Sequence, residues 1–211
     1  MSFQSIKEEL EKRSLELTAT TLVGDLTSSS KTEKLIALLD DMSELQLRFE
    51  NAKYVVLIDD CYAEFFYGEL IRPQFLNEVE WSKLIKNIIK IRDHVRTNYG
   101  LEVVFHPHAQ SHVETEEQIE KLLNDTDINL CLDTGHLVYA DGDPAAFMHK
   151  HYQPIPYLQL KSCDLKVREK MQREGWSFAK AVSEDVMCES ELGVVDMKAS
   201  MKVLEDINFD K

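Results

Sequence analysis

Side chains that bind metals or move protons follow two short apolar runs of the sequence. His106 and His108 come directly after one run, and Asp133 and His136 come directly after a second run, which ends at Leu132. Runs of this kind are typical of buried strands, and neighbouring parallel strands present their functional residues at the same carboxyl-terminal edge of a sheet. Imidazole and carboxylate groups gathered at such an edge are suited to binding a divalent metal or to proton transfer.

Other interpretations of the same residues stay open. One Asp-x-x-His spacing is common by chance, and Asp133 and His136 would then hydrogen-bond each other at a buried turn. The alternative for His106-Pro107-His108 is a turn on the surface. Two such groups after consecutive strands favour a shared site over two unrelated turns.

A lysine follows the next predicted strand. Lys161 ends the stretch 155–161 and lies beside Gln159. A lysine at a strand end can polarise a carbonyl or hold an enolate. The alternative is a surface lysine whose aliphatic stem covers apolar neighbours.

The remaining histidines and one loop aspartate are expected to be structural or exposed. His112 is expected to be a solvent-exposed loop residue, and Asp25 to cap a solvated turn, with a place in a site as its alternative. Three further histidines lie on or near predicted helix faces, namely His94, His149 and His151.

Strands and helices alternate along the chain. Strands are predicted at residues 15–23, 54–58, 101–105, 128–132 and 155–161, and helices at 3–13, 31–51, 81–99, 115–123, 144–151, 165–173, 177–183 and 197–206. This alternation is typical of βαβ units and predicts an α/β fold with a parallel sheet. Thr115 begins a capping box, and Asp143-Pro144 provides an N-cap followed by an N1 proline. The long aromatic loop after the second strand is predicted to be an ordered lid or wall, or simple packing.

Composition limits the classes of function. The chain has 211 residues and a formal net charge of -14, which opposes binding to DNA or RNA. The sequence shows no apolar run long enough to span a membrane and no signal peptide, so a cytoplasmic location is expected. The four cysteines are widely spaced and lack a C-x-x-C motif, so free thiols are expected.

The spaced motifs resemble a known family. His106-Pro107-His108, His112-Val113-Glu114-Thr115, Leu132-Asp133-Thr134-Gly135-His136, Asp141-Gly142-Asp143-Pro144, Leu160-Lys161 and Gly193-Val194-Val195-Asp196 resemble the xylose isomerase-like TIM barrels, a group that includes sugar phosphate isomerases and epimerases. The nearest resemblance is to the inosose (2-keto-myo-inositol) dehydratase branch. It covers most of the chain, is densest from Leu101 to Lys161, and implies that residues 1–211 form a single, partial TIM (β/α)8-type barrel domain.

The resemblance also implies a chemistry. A divalent metal, Mn²⁺ or Co²⁺, would be held by Asp133, by His106 and by Gln159 where relatives have a histidine. Proton abstraction next to a carbonyl by His108 or His136, an enolate held by the metal and Lys161, and loss of water would make the enzyme a dehydratase. An isomerase would share the enediolate and return the proton. The substrate would be a small sugar or cyclitol.

The chain departs from the family pattern at several places. Gln159-Leu160-Lys161-Ser162 stands where relatives read His-x-Lys-Asp, and a Gly-x-Gly is reduced to Glu191-Leu192-Gly193. The first and last strands of a full barrel are expected to be missing, and open sheet edges favour homo-oligomers. A non-catalytic remnant of the barrel is therefore the alternative function. Endonuclease IV-like DNA repair is the third, and the acidic charge counts against it.

Overall fold

A computed structural model describes residues 3–209. The helices are α1 (Phe3–Lys12), α2 (Ser29–Gln46), α3 (Glu78–Tyr99), α4 (Glu116–Asp125), α5 (Thr134–Tyr139), α6 (Pro144–His151), α7 (Leu165–Glu174), α8 (Phe178–Ser183) and α9 (Met197–Asp206). The strands are β1 (Ala19–Gly24), β2 (Tyr54–Asp59), β3 (Glu102–Phe105), β4 (Asn129–Asp133), β5 (Tyr157–Gln159), β6 (Ser162–Cys163) and β7 (Met187–Cys188).

The main sheet has five parallel strands whose spatial order is the order of the chain, β1 to β5. Consecutive parallel neighbours with intervening helices are the construction of a (β/α) barrel wall, which in a complete barrel has eight strands. The predicted parallel α/β sheet is therefore confirmed. β6 and β7 form a separate antiparallel pair that the sequence reading missed.

The sheet is strongly curled. In a flat sheet the third neighbour of a strand lies about 14 Å away. Yet the rings of Tyr54 on β2 and Tyr157 on β5 have centroids 5.2 Å apart, and the hydroxyl groups of Thr18 and Tyr157 are 3.0 Å apart. The inner face therefore turns toward itself as in a barrel, around buried Val56, Val104 and Cys131.

The outer face of the sheet packs against the helices. β2, β3 and β4 contribute Leu57, Phe105 and Leu130, all fully buried in the largest apolar cluster. That cluster also contains the inward faces of α3 and α4. Apolar side chains are thus buried on both faces of these strands, which explains why the strands have continuous apolar sequences.

Local capping signals fix the helix ends. Asn77 and Glu80 form a capping box at the start of α3, and Gly100 ends it in the left-handed conformation with φ 67°. Thr115 and Gln118 form the predicted capping box of α4, and Asp143 caps α6 through the amide of Ala146. The third predicted helix was too short, because its true cap lies four residues before Trp81.

Several predicted boundaries were wrong. The first strand begins at Ala19 rather than at residue 15, and α2 ends at Gln46 because residues 47–51 form turns. The fifth strand ends at Gln159, so Lys161 lies in the connection to β6. None of the described helices is both long and apolar enough to cross a membrane.

Candidate metal and catalytic site

Three imidazoles meet at the carboxyl-terminal ends of β3 and β4. His106 and His108 follow β3, and His136 lies in the first turn of α5, directly after β4. One ring nitrogen of each histidine lies within 4.8 Å of those of the other two. The rings of His108 and His136 have centroids only 4.0 Å apart. The structure thus brings together the three histidines that the sequence singled out.

Asp133 organises the start of α5. Its Oδ1 accepts a hydrogen bond of 2.9 Å from the backbone N–H of His136, so Asp133 is the N-cap of this helix. The sequence reading allowed for an Asp133–His136 hydrogen bond, but the donor is the backbone and not the imidazole. The ring of His136 therefore remains available to the other two imidazoles.

Backbone groups fix the tautomers of the three rings. Nδ1 of His106 lies 3.1 Å from the carbonyl of Cys131, and Nδ1 of His108 lies 2.8 Å from that of Ala109. A carbonyl only accepts, so both Nδ1 atoms donate and both Nε2 atoms keep a lone pair. Nδ1 of His136 instead accepts the N–H of Ala109 at 3.2 Å, which puts the proton of the neutral ring on Nε2. The cluster offers two lone pairs and one N–H donor.

Burial keeps the cluster neutral. It lowers the pKa of His106 to about 4, with a further lowering by the charge of Lys161. Burial also lowers the pKa of His108 to about 4, and the pKa of His136 lies well below its ordinary value for the same reason. All three rings are therefore uncharged at neutral pH, the form that metal binding and proton acceptance require.

Asp133 forms an ion pair with Lys161. Its Oδ2 lies 3.0 Å from Nζ of Lys161; the carboxylate is fully buried and the lysine side chain is 31% exposed. Burial raises the pKa of Asp133, whereas the charge of Lys161 and the N–H of His136 lower it. The sequence predicted Lys161 as a site residue but gave no sign of this partner.

Thr134 and Gly135 hold the backbone of Lys161 close to α5. The Thr134 hydroxyl donates to the Lys161 carbonyl at 2.6 Å and accepts its N–H at 3.1 Å. A Cβ atom at Gly135 would lie 2.8 Å from Cγ of Lys161 and 3.0 Å from the carbonyl oxygen of Ser162. Glycine is needed here for this close approach. Sequence reasoning missed both residues, although they lie inside the Asp-Thr-Gly-His motif.

Gln159 lies next to Asp133. The two residues are partners in the parallel pairing of β5 with β4. Paired residues of adjacent strands face the same side of a sheet, so the amide and the carboxylate share the inner face of the curled sheet. The side chain of Gln159 is half-buried.

His112 was predicted to be exposed, and that prediction was wrong. It is buried, with Nδ1 2.6 Å from Oδ2 of Asp59 and Nε2 2.9 Å from the carbonyl of Pro73. Arg72 contacts the other oxygen of Asp59 at 3.3 Å and also pairs with Asp25 at 2.9 Å. The four side chains, His112, Asp59, Arg72 and Asp25, form what we call the His112 network. The loop after β2 folds back and covers His112.

Asp25 both caps a turn and belongs to this network. Burial would raise its pKa, but hydrogen bonds from Thr27 and Lys31 and the charge of Arg72 outweigh burial and lower the pKa to about 2. The carboxylate is therefore ionised at neutral pH. It is half-buried and serves the fold rather than the imidazole cluster.

The aromatic loop after β2 forms part of a wall. Its Phe65 carbonyl accepts the N–H of Ala179, and the Phe65 ring contacts Phe178 of α8 at 5.9 Å. Phe178 in turn lies 5.9 Å from the ring of His108. Phe66 and Tyr67, in contrast, are exposed. The loop therefore supports the imidazole cluster indirectly, because it packs against α8 and Phe178 of α8 packs against His108.

The four cysteines are free thiols, as predicted. Burial raises the pKa of Cys61, Cys131 and Cys163 to about 12. These three thiols are therefore protonated at neutral pH and are not nucleophiles.

The donor set fits a divalent metal. His106 and His108 present unprotonated Nε2 atoms, and Oδ2 of Asp133 is buried and accepts no hydrogen bond in the described structure besides its ion pair with Lys161. Imidazole nitrogens with a carboxylate oxygen suit borderline metals such as Mn²⁺, Co²⁺ and Zn²⁺. The carbonyls that hold both Nδ1 atoms are the usual support of metal-binding histidines.

Comparison with known proteins places the chain in a family. The model of the xylose isomerase-like TIM barrel family matches residues 2–211. The chain belongs to this family. Inosose dehydratase of Clostridium beijerinckii is 29% identical to it over 216 residues, which cover 97% of this chain and 70% of the relative. Family membership confirms the predicted fold class and the resemblance.

Two solved structures share the fold of this chain. The IolI protein with a bound zinc atom superposes with a TM-score of 0.72 and 16% identity, covering all of this chain and 70% of that one. The probable 3-DHS dehydratase AsbF of Bacillus anthracis superposes with a TM-score of 0.72 and 18% identity, covering 96% of this chain and 72% of that one.

Proposed function

We propose that this chain is a divalent-metal-dependent dehydratase that acts on a small polyhydroxylated ketone, a sugar or cyclitol of the inosose type. The observation that carries the proposal is the buried group of three neutral imidazoles beside the Asp133–Lys161 ion pair. The name of the Clostridium beijerinckii relative supports the substrate class, and the fold shared with a probable dehydratase agrees with it.

In this proposal Asp133 and Nε2 of His106 hold the metal, Mn²⁺ or Co²⁺, and the oxygen of Gln159 is a neutral third ligand. The bound metal would supply Lewis-acid polarisation of the substrate ketone. Gln159 lies in register with Asp133, which supports its place in the ligand set. Imidazole and carboxylate ligands keep the metal charge only partly neutralised, as Lewis-acid action requires.

The proposed reaction also gives a role to each of the two other histidines and to Lys161. His108 accepts the proton from the carbon next to the ketone, because its Nε2 bears a lone pair. His136 donates its Nε2–H to the developing enolate oxygen as a neutral imidazole. Lys161 adds positive charge near the site, and the protonated His108 then gives its proton to the leaving β-hydroxyl, so that water departs as the C–O bond breaks. The tautomers favour His108 over His136 as the base.

The test is turnover of 2-keto-myo-inositol by the full chain loaded with Mn²⁺ or Co²⁺, followed by the absorbance of the unsaturated product. We expect activity in the wild type, a loss of about 10²–10⁴-fold in His108→Gln, and loss of metal content in Asp133→Ala. His149→Ala is the matched control, since His149 is exposed. Metal-loaded wild type without turnover of this or related ketoses would overturn the proposal.

A non-catalytic barrel that only binds a small polyol is the second candidate. Gln159 in place of a stronger imidazole ligand favours it, as does a main sheet of five strands among the described residues. Polyol binding without turnover would support this candidate. Within the part of the chain that the structure describes, the outer edges of β1 and β5 pair with no further strand, which supports the expectation of a homo-oligomer. Light scattering of the purified chain would test it.

A further inference from the structure

We propose that Lys161 holds the cation position beside Asp133 until a divalent metal binds, and that the metal displaces the Lys161 ammonium into a neighbouring acidic cavity. Lys161 would then set the metal affinity of the site. The inference rests on the proposed function, because it requires a metal at Asp133.

Only one oxygen of the Asp133 carboxylate is available to bind a metal. Oδ1 already accepts the hydrogen bond from the N–H of His136 that caps α5. Oδ2 contacts the ammonium of Lys161 at 3.0 Å. A metal bound to Oδ2 would therefore share a fully buried oxygen with a second cation. Two cations that share one buried oxygen repel each other strongly, so the ammonium and the metal compete for this position.

The structure leaves room for the ammonium to move. A cavity of about 630 Å³ lies next to Lys161 and is lined by Asp185, Glu189, Cys188 and Leu192. The two carboxylates provide an alternative counter-charge for the displaced ammonium. The Lys161 side chain is 31% exposed, and its ammonium lies at the end of a flexible four-carbon stem. Rotation about the side-chain bonds is therefore enough to move the ammonium into the cavity.

The backbone of Lys161 stays in place during this movement. The two hydrogen bonds with Thr134 fix it on both sides of the residue. Gly135 has no Cβ atom, so Cγ of Lys161 can lie close to α5. Only the side chain is therefore free to respond to the metal, which makes the exchange local and reversible.

Titration of the chain with MnCl₂ by calorimetry tests the competition. We expect Lys161→Met to bind Mn²⁺ roughly tenfold or more tightly than the wild type, because the competing cation is gone. Asp133→Asn should bind weakly or not at all. Lys180→Met is the matched control and should bind as the wild type does, since Lys180 pairs with Glu184 on the surface.

A second measurement is the acetylation rate of each lysine with and without Mn²⁺, determined by mass spectrometry of the peptides. We expect the acetylation rate of Lys161 to rise several-fold when Mn²⁺ is present, while that of Lys180 stays constant. Equal Mn²⁺ affinity in the wild type and Lys161→Met, with constant acetylation, would overturn the inference and leave the metal centre standing. No Mn²⁺ binding by any variant would overturn both the inference and the metal-dependent function.

Discussion

Nδ1 of His112 lies 2.6 Å from Oδ2 of Asp59, and both side chains are buried. His112 also contacts the carbonyl of Pro73 through its second nitrogen, and so connects the ends of β2 and β3 to the long loop between β2 and α3. Arg72 and Asp25 complete the network. This pair therefore anchors the loop whose Phe65 contacts α8, and α8 in turn contacts the imidazole cluster through Phe178.

Replacement of His112 should destabilise the protein severely. In His112→Ala the buried Asp59 carboxylate loses a charged or hydrogen-bonding partner, and breaking a buried pair in this way costs about 3–5 kcal/mol. Urea denaturation followed by circular dichroism measures the free energy of unfolding. The control is His149→Ala, an exposed substitution expected to change stability by less than about 0.5 kcal/mol. A loss below about 1 kcal/mol in His112→Ala would contradict the structural role of the network.

Phe178 should be a main support of the wall beside His108. Its side chain is 3% exposed and packs against Phe65, Tyr139 and His108. Truncation to alanine leaves a cavity, and we expect Phe178→Ala to lower the free energy of unfolding by about 3–5 kcal/mol.

Phe66→Ala is the matched control for Phe178→Ala, because Phe66 belongs to the same aromatic contact but is 68% exposed. Its effect should stay below about 1 kcal/mol. Thermal and urea unfolding of both variants would check the pair. A loss below about 1 kcal/mol in Phe178→Ala as well would show that α8 does not depend on Phe178.

Glu114 should make the stability depend on pH. Burial raises its pKa from 4.5 to about 7, although the backbone N–H of Gln110 and the charge of Arg168 lower it in part. Between these values the native state binds more protons than the unfolded state, so stability falls as the pH rises from about 4.5 through about 7. The ionisation of Glu114 then costs up to about 3 kcal/mol above pH 7.

Comparison of Glu114→Gln with the wild type across pH 4 to 8 tests this sign. We expect the stability of Glu114→Gln relative to the wild type to increase as the pH rises, because glutamine has no proton to lose. Glu117→Gln replaces an exposed glutamate of the same segment and should show a constant difference. Parallel curves for Glu114→Gln and the wild type would disprove the raised pKa.

Short-range sequence patterns predicted the local structure well. The capping boxes and caps at Thr115 and Asp143 involve partners within three residues, so their residue types are visible in a single stretch of sequence. Residues such as His106, His108 and Asp133 follow apolar strands, and parallel strands necessarily present such residues at one edge of the sheet. The candidate site residues could therefore be named before the structure.

Partners that are distant in the chain could not be predicted. The bond of His112 with Asp59 spans 53 positions, and that of Thr134 with Lys161 spans 27. The tautomer of each imidazole depends on backbone groups such as Ala109 N–H, which sequence patterns do not describe.

The sequence by itself thus determined the alternation of elements, their caps and the residue types at the strand ends. The tertiary structure alone decided which donors and acceptors meet when they are distant in the chain. The physical reason is that curling of the sheet and folding back of its loops bring together groups whose separation along the chain carries no signal, and burial then sets their charges.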